Sequence, residues 1–224
     1  MNSQKLEEKI AHLRERLLFF LYPPKCAACG AMGYKNLCPD CQKKLEDAFS
    51  PRKFIPNGGN GYADGMFTLF PYEEYTVQKL LFDWKLVEYR DLPVIFTPFL
   101  DRFCRKKLLP RHIHCISFLP RRRWARLKTG FDQAQCVTAI FARLSSLPFP
   151  SLLIRQGFAR AQHKSSYQKR VANIYGAFRS ETKLEGETVL LIDDIVTTGA
   201  TAREGARILK NAGAMKVYIL SIAH

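Results

Sequence analysis

The stretch Leu190-Leu191-Ile192-Asp193-Asp194-Ile195-Val196-Thr197-Thr198-Gly199-Ala200-Thr201 decides how this chain is read. Residues 189–192 are apolar without interruption, as in a central parallel strand covered on both faces. Two acids stand at the carboxyl end of that strand, and Thr197-Thr198-Gly199 turns the chain towards a helix near Thr201. Open α/β sheets bind ligands in the crevice at the carboxyl ends of their strands. A helix N-terminus adds free N–H groups and a partial positive charge of ~0.5 e. Gly199 lets the backbone approach a phosphate closely, and the threonine hydroxyls add donors. Paired carboxylates beside a bare phosphate would repel it. They suit a ligand that also carries vicinal hydroxyls, and a sugar 5-phosphate has both parts. A plain strand-turn-helix with a polar cap would not need both acids and the Thr-Thr-Gly-Ala-Thr run.

Outward from this loop, strands and helices alternate. The pattern predicts strands over 66–72, 112–119, 188–193 and 216–223. It predicts helices over 76–86, 92–108, 131–146 and 201–211, the last stopped by Gly213. Such alternation implies an α/β fold with a doubly wound, mostly parallel sheet over 66–224. Residues 51–65, with Pro56-Asn57-Gly58-Gly59-Asn60-Gly61, read as a linker. Before it lie a four-cysteine module over 25–50 and an N-terminal segment over 1–24. In that segment Leu6, Ile10, Leu13 and Leu17 predict a helix over 4–21. Its polar side mixes acids and bases, so packing on its own domain is favoured over lying on a membrane.

Cys26-x-x-Cys29 and Cys38-x-x-Cys41 place four thiolates in two knuckles with eight residues between the pairs. Four sulfurs at ~2.3 Å form the closed tetrahedron of structural zinc. A redox role fits less well, because it would need one such pair inside a βαβ unit. The linker leads one to expect that Cys38→Ser loosens the module and leaves the later domain folded. The other three of the seven cysteines, Cys104, Cys115 and Cys136, fall in apolar patterns and read as core.

The chain of 224 residues carries a formal net charge of +15, which favours polyanionic partners. The run Arg121-Arg122-Arg123-Trp124-Ala125-Arg126-Leu127-Lys128 follows a predicted buried strand directly. It therefore belongs at the same strand-end edge as the acidic loop. Cations around an aromatic suit pyrophosphate, or single-stranded nucleic acid with Trp124 as a stacking platform. For any one of these arginines a solvated loop is the plainer reading. No apolar run approaches the ~20 residues that span a bilayer. The best, over 17–22, is preceded by Glu7, Glu8 and Glu15 and ends at Pro23-Pro24, so neither a membrane span nor a signal peptide is expected. The expected location is the cytoplasm.

The loop resembles the signature of type I phosphoribosyltransferases. That resemblance implies that Asp193 and Asp194 hold the ribose 2- and 3-hydroxyls of phosphoribosyl pyrophosphate. It also implies that Thr197, Thr198, Gly199, Ala200 and Thr201 cradle its 5-phosphate, with Mg2+ as the accompanying ion. Several purine-salvage members place an aspartate where Thr197 stands. Its absence implies an acceptor that needs no deprotonation by the loop, such as an amine or an orotate-type substrate.

A zinc knuckle ahead of such a domain resembles the ComF family, the ComFC-type competence proteins and their GntX-like relatives. Cys26 to Leu45 resemble its ribbon, and Arg126-Leu127-Lys128-Thr129-Gly130-Phe131-Asp132-Gln133-Ala134 resembles its Arg-Gly-Phe-Asn-Gln-Ala box. Gln162, Arg170, Asn173 and Gly176-Ala177-Phe178 match further family positions. Thr129 and Asp132 depart, standing where the family has arginine and asparagine. If that arginine touches phosphate, Arg126 or Lys128 would have to substitute. The family implies a DNA-uptake protein handling incoming single strands, with a competence helicase as partner. The alternative is an active Mg2+-dependent phosphoribosyltransferase releasing pyrophosphate to an unnamed acceptor.

Overall fold

The structure is a computed structural model that describes residues 20–21, 23–54, 62–84, 93–106, 112–156 and 174–224. Most of the helix expected over 4–21, the centre of the expected linker, and Gln162, Arg170 and Asn173 lie outside the described residues. Phe20 and Leu21 are helical. Among the described residues no helix is long and apolar enough to cross a membrane.

A five-stranded sheet runs in the order β1 (Arg52–Phe54), β2 (Gly65–Phe70), β7 (Lys216–Ala223), β6 (Thr188–Ile195), β3 (Cys115–Phe118). β1 is antiparallel to β2, and every other pairing is parallel. Parallel strands expose neither face, and the alternation along them shows it. Leu190, Ile192, Leu220 and Ile222 point into one core with helices α2 (Tyr75–Asp83), α3 (Pro93–Arg105) and α5 (Gln133–Ser145). Val189, Leu191, Val217 and Ile219 point into the other, beneath Ala202, Ala206 and Leu209 of α6 (Ala200–Asn211). Gly205 is what lets α6 lie so close. A Cβ there would stand 2.5 Å from a Leu119 methyl and 3.0 Å from one of Leu191. The sheet is thus doubly wound, as the alternation predicts.

Three features depart from expectation. Residues 52–54, inside the expected linker, form the edge strand β1, because Arg52, Lys53 and Phe54 pair with Thr68, Phe67 and Met66. The cysteine module is not set apart either. Helix α1 (Pro39–Ala48) sinks Leu45 into the same core as Phe70 and Phe99, and Phe49 packs its ring 5.2 Å from that of Phe99. Arg102 lies 4.5 Å above the Phe49 ring and pairs with Glu46. Finally, the basic run is helical over Arg123–Thr129 (α4), and a second, two-stranded sheet joins β4 (Ile154–Arg155) to β5 (Phe178–Arg179).

Candidate anion site at the strand ends

Because β2, β7, β6 and β3 run the same way, their carboxyl ends share one edge. β6 extends through both acids to Ile195, two residues past the expected end. Each carboxylate is anchored by the next residue: Asp193 Oδ1 accepts from the Asp194 N–H and Asp194 Oδ1 from the Ile195 N–H, both at 2.9 Å. Burial, and then the charge of Asp194, hold the Asp193 carboxyl well above the usual carboxylate range. The two carboxylates offer this edge acceptors for hydroxyl donors or ligands for a divalent ion. Thr197, Thr198, Gly199, Ala200 and Thr201 line a pocket of about 220 Å3, open solvent included, together with Asp193. Gly199 caps α6 at φ 71°, in the left-handed region that glycine enters without strain. Thr198 Oγ1 accepts from the Ala200 N–H at 3.4 Å, which leaves its own hydroxyl proton free.

The basic run stands at the end of the neighbouring strand, β3. Arg122, Arg123, Arg126 and Lys128 are exposed. Trp124 is 81% and Leu127 65% exposed, so α4 offers an aromatic and an aliphatic side chain to solvent among four cations. Arg121 differs from the rest. It is half-buried, its N–H donates to Asp132 Oδ2 at 2.8 Å, and its Nη1 is buried with no hydrogen-bond partner among the described residues.

The two departures from the family box have structural work. Thr129 is buried with its hydroxyl 3.0 Å from the carbonyls of Ala125 and Phe131. Asp132 is 2% exposed, caps α5 through the Gln135 N–H and ties that helix to Arg121. Burial raises its carboxyl, against the pull of the backbone bonds from Arg121 and Gln135. Sequence reasoning missed Arg155. Its Nη1 donates to the Pro120 carbonyl at 3.2 Å, and its guanidinium lies 5.1 Å from the Phe178 ring. Burial and then Arg122 pull its pKa down, while Asp193 and Asp132 oppose them, which puts all four charges in one neighbourhood. No local pattern marks Arg155, because its partners are remote in sequence.

The four cysteines form the second centre. Their sulfurs all lie within 4.8 Å of one another, and Cys29 and Cys38 are 3.7 Å apart. A tetrahedron with ~2.3 Å metal–sulfur bonds has edges of about 3.8 Å. Burial pushes the Cys26 thiol up, but hydrogen bonds from backbone groups of Cys29, Cys38 and Ala28 outweigh it and bring it to about 6. Burial and the other three sulfurs push Cys41 the other way. Four thiolates this close need a cation to coexist, and the donor set suits zinc. With all four positions taken, the role is structural.

Comparison with known proteins agrees with both centres. Residues 141–223 match the family model of the phosphoribosyl transferase domain, and residues 17–52 that of the double zinc ribbon domain. The chain is similar to DNA utilization protein YhgH of Escherichia coli strain K12, at 33% identity over 50% of this chain and 48% of that one. It is also similar to Competence protein F of Haemophilus influenzae, at 26% identity over 51% of each chain. The chain thus spans about half the length of the curated relatives it matches. Among solved structures it is similar to adenine phosphoribosyltransferase from Leishmania tarentolae, with a TM-score of 0.42 and 15% identity over 78% of this chain and 94% of that one. The chain thus joins a double zinc ribbon to a phosphoribosyl transferase domain and is similar to proteins named for DNA utilization and competence.

Proposed function

We propose that this protein handles single-stranded DNA on a phosphoribosyltransferase scaffold that binds phosphoribosyl pyrophosphate or a related sugar phosphate. The observation that carries the reading is the juxtaposition at one sheet edge. The acid-and-threonine loop ends β6, and the exposed cations and Trp124 of α4 follow β3, its hydrogen-bonded neighbour. The names of the relatives, DNA utilization and competence, support the nucleic-acid half. In this reading Asp193 and Asp194 accept from the ribose hydroxyls, and residues 197–201 hold the 5-phosphate with N–H groups and hydroxyls. Mg2+ takes hard oxygen ligands. The two carboxylates offer such ligands, and the ion would offset the charge of a pyrophosphate group. Arg121, Arg122 and Arg155 stand where such a group would need cations, and Arg123, Trp124, Arg126 and Lys128 face outward to a strand. The cytoplasm is the proposed location and a competence helicase a proposed partner.

Fluorescence anisotropy with a labelled single strand tests the proposal. Binding that weakens steeply with salt is expected. No binding even at low salt would overturn the DNA reading. The second reading, an active phosphoribosyltransferase, rests on the intact loop. Pyrophosphate release in the presence of an amine or nucleobase would favour it.

A further inference from the structure

A backbone that binds an anion through its N–H groups must turn its carbonyl oxygens the other way, because each carbonyl would repel the anion. Those oxygens then need donors from behind the loop. Two of them have side-chain donors. His224 Nδ1 lies 2.8 Å from the carbonyl oxygen of Val196. A carbonyl can only accept, so the proton of this ring sits on Nδ1. Arg203 Nη1 donates to the carbonyl of Thr198 at 2.9 Å. These carbonyls flank Thr197, the exposed threonine of the pocket. The grips come from different elements: His224 follows β7, and Arg203 lies in the first turn of α6. His224 is itself held firmly. Its ring stacks on Phe54 with centroids 4.0 Å apart and planes 14° from parallel. Its N–H donates to Phe70 and its carbonyl accepts from Tyr72, at 3.2 and 3.0 Å.

We propose that His224 and Arg203 are positioning residues for the phosphate loop, holding the Val196 and Thr198 carbonyls away from the bound phosphate so that the N–H groups between them face it. The assignment rests on the sugar-phosphate reading above and deepens it. It gives β7 and the edge strand β1 a part in the site that the loop sequence does not announce. Without these donors the peptide units after Val196 and Thr198 are free to rotate, and a carbonyl oxygen enters the anion site.

Isothermal titration of the full chain with ribose 5-phosphate, and separately with inorganic phosphate, tests this. His224→Phe keeps a flat ring for Phe54 and loses the donor. His224→Asn keeps an N–H at the same distance along the side chain. Arg203→Met keeps the apolar stem and loses the guanidinium. His224→Phe and Arg203→Met should each weaken ribose 5-phosphate roughly three- to tenfold, the worth of one ordinary hydrogen bond. Inorganic phosphate should weaken by a similar factor, because the loop grips only that group. His224→Asn should bind within about twofold of the unmodified chain. Affinity is the readout because a variant that is merely less stable binds normally once folded. Unchanged affinity in both His224→Phe and Arg203→Met overturns the assignment and leaves the sugar-phosphate reading standing. If His224→Phe does not fold, Arg203→Met carries the test. An unmodified chain that binds neither ligand overturns both.

Discussion

In the proposed site Asp193 serves binding at the expense of stability. Its carboxyl is raised by burial and then by Asp194. The folded chain therefore holds a proton there at pH values where the unfolded chain, with an ordinary aspartate pKa of ~3.9, has lost it. Stability falls as pH rises through that window, so the group costs the ligand-free fold more at neutral pH than in acid. Asparagine at this position still accepts the Asp194 N–H but carries no charge. Asp193→Asn should accordingly raise the ligand-free melting temperature at about pH 7–8, and the gain should shrink towards about pH 4. Thermal melts across that range check this, and a variant that melts at or below the unmodified chain throughout would contradict it. The acids and the threonine run were legible in the sequence because they are contiguous, and their order alone suggests hydroxyls beside a phosphate. Arg155 and His224 were not, since their partners Pro120 and Val196 are remote in sequence; Arg203 lies only five residues from Thr198, but no residue pattern says that its side chain turns back to that carbonyl.

At the scale of the element, α4 is the part whose chemistry was readable and whose shape was not. The cations and Trp124 are plain in the sequence. The helix buries only Thr129 among its seven residues, so it has no apolar stripe to give a period. What ends it is Gly130 at φ 75°, whose N–H returns to the Arg126 carbonyl at 2.7 Å. The long strands and helices were legible for the opposite reason. β7 falls on the expected 216–223, and α6 begins one residue early, because buried apolar residues set their period. The exposure pattern of α4 also sharpens its test. Arg121 is half-buried and bonded into the site, whereas Arg123, Arg126 and Lys128 are exposed and open to strand phosphates. Replacing those three by Ser should reduce the slope of log affinity for single strands against log salt by roughly two, at about 0.7 per phosphate contact. Trp124→Ala should instead cost ~1–3 kcal/mol with little change in slope. Anisotropy titrations at several salt concentrations separate the two effects. An unchanged slope in the triple variant would move the DNA surface away from α4.

Across the whole molecule the cysteine module and the sheet share one core. Glycine and proline around residues 56–61 suggested separation, but composition does not record that Leu45, Phe49 and Arg102 would meet across that stretch. The metal should therefore stabilise the entire described fold. We expect one zinc per chain by metal analysis. Chelation, or Cys38→Ser, should lower the temperature of a single unfolding transition. Two separate transitions, with the later one unmoved, would contradict a shared core. The proposed function depends on a sugar phosphate binding at the end of β6. Calorimetric titration of phosphoribosyl pyrophosphate with Mg2+ into the unmodified chain and into the Asp193→Asn, Asp194→Asn double variant tests it most directly. Saturable binding to the first and none to the folded second is expected; equal binding to both, or to neither, would overturn sugar-phosphate binding at this loop.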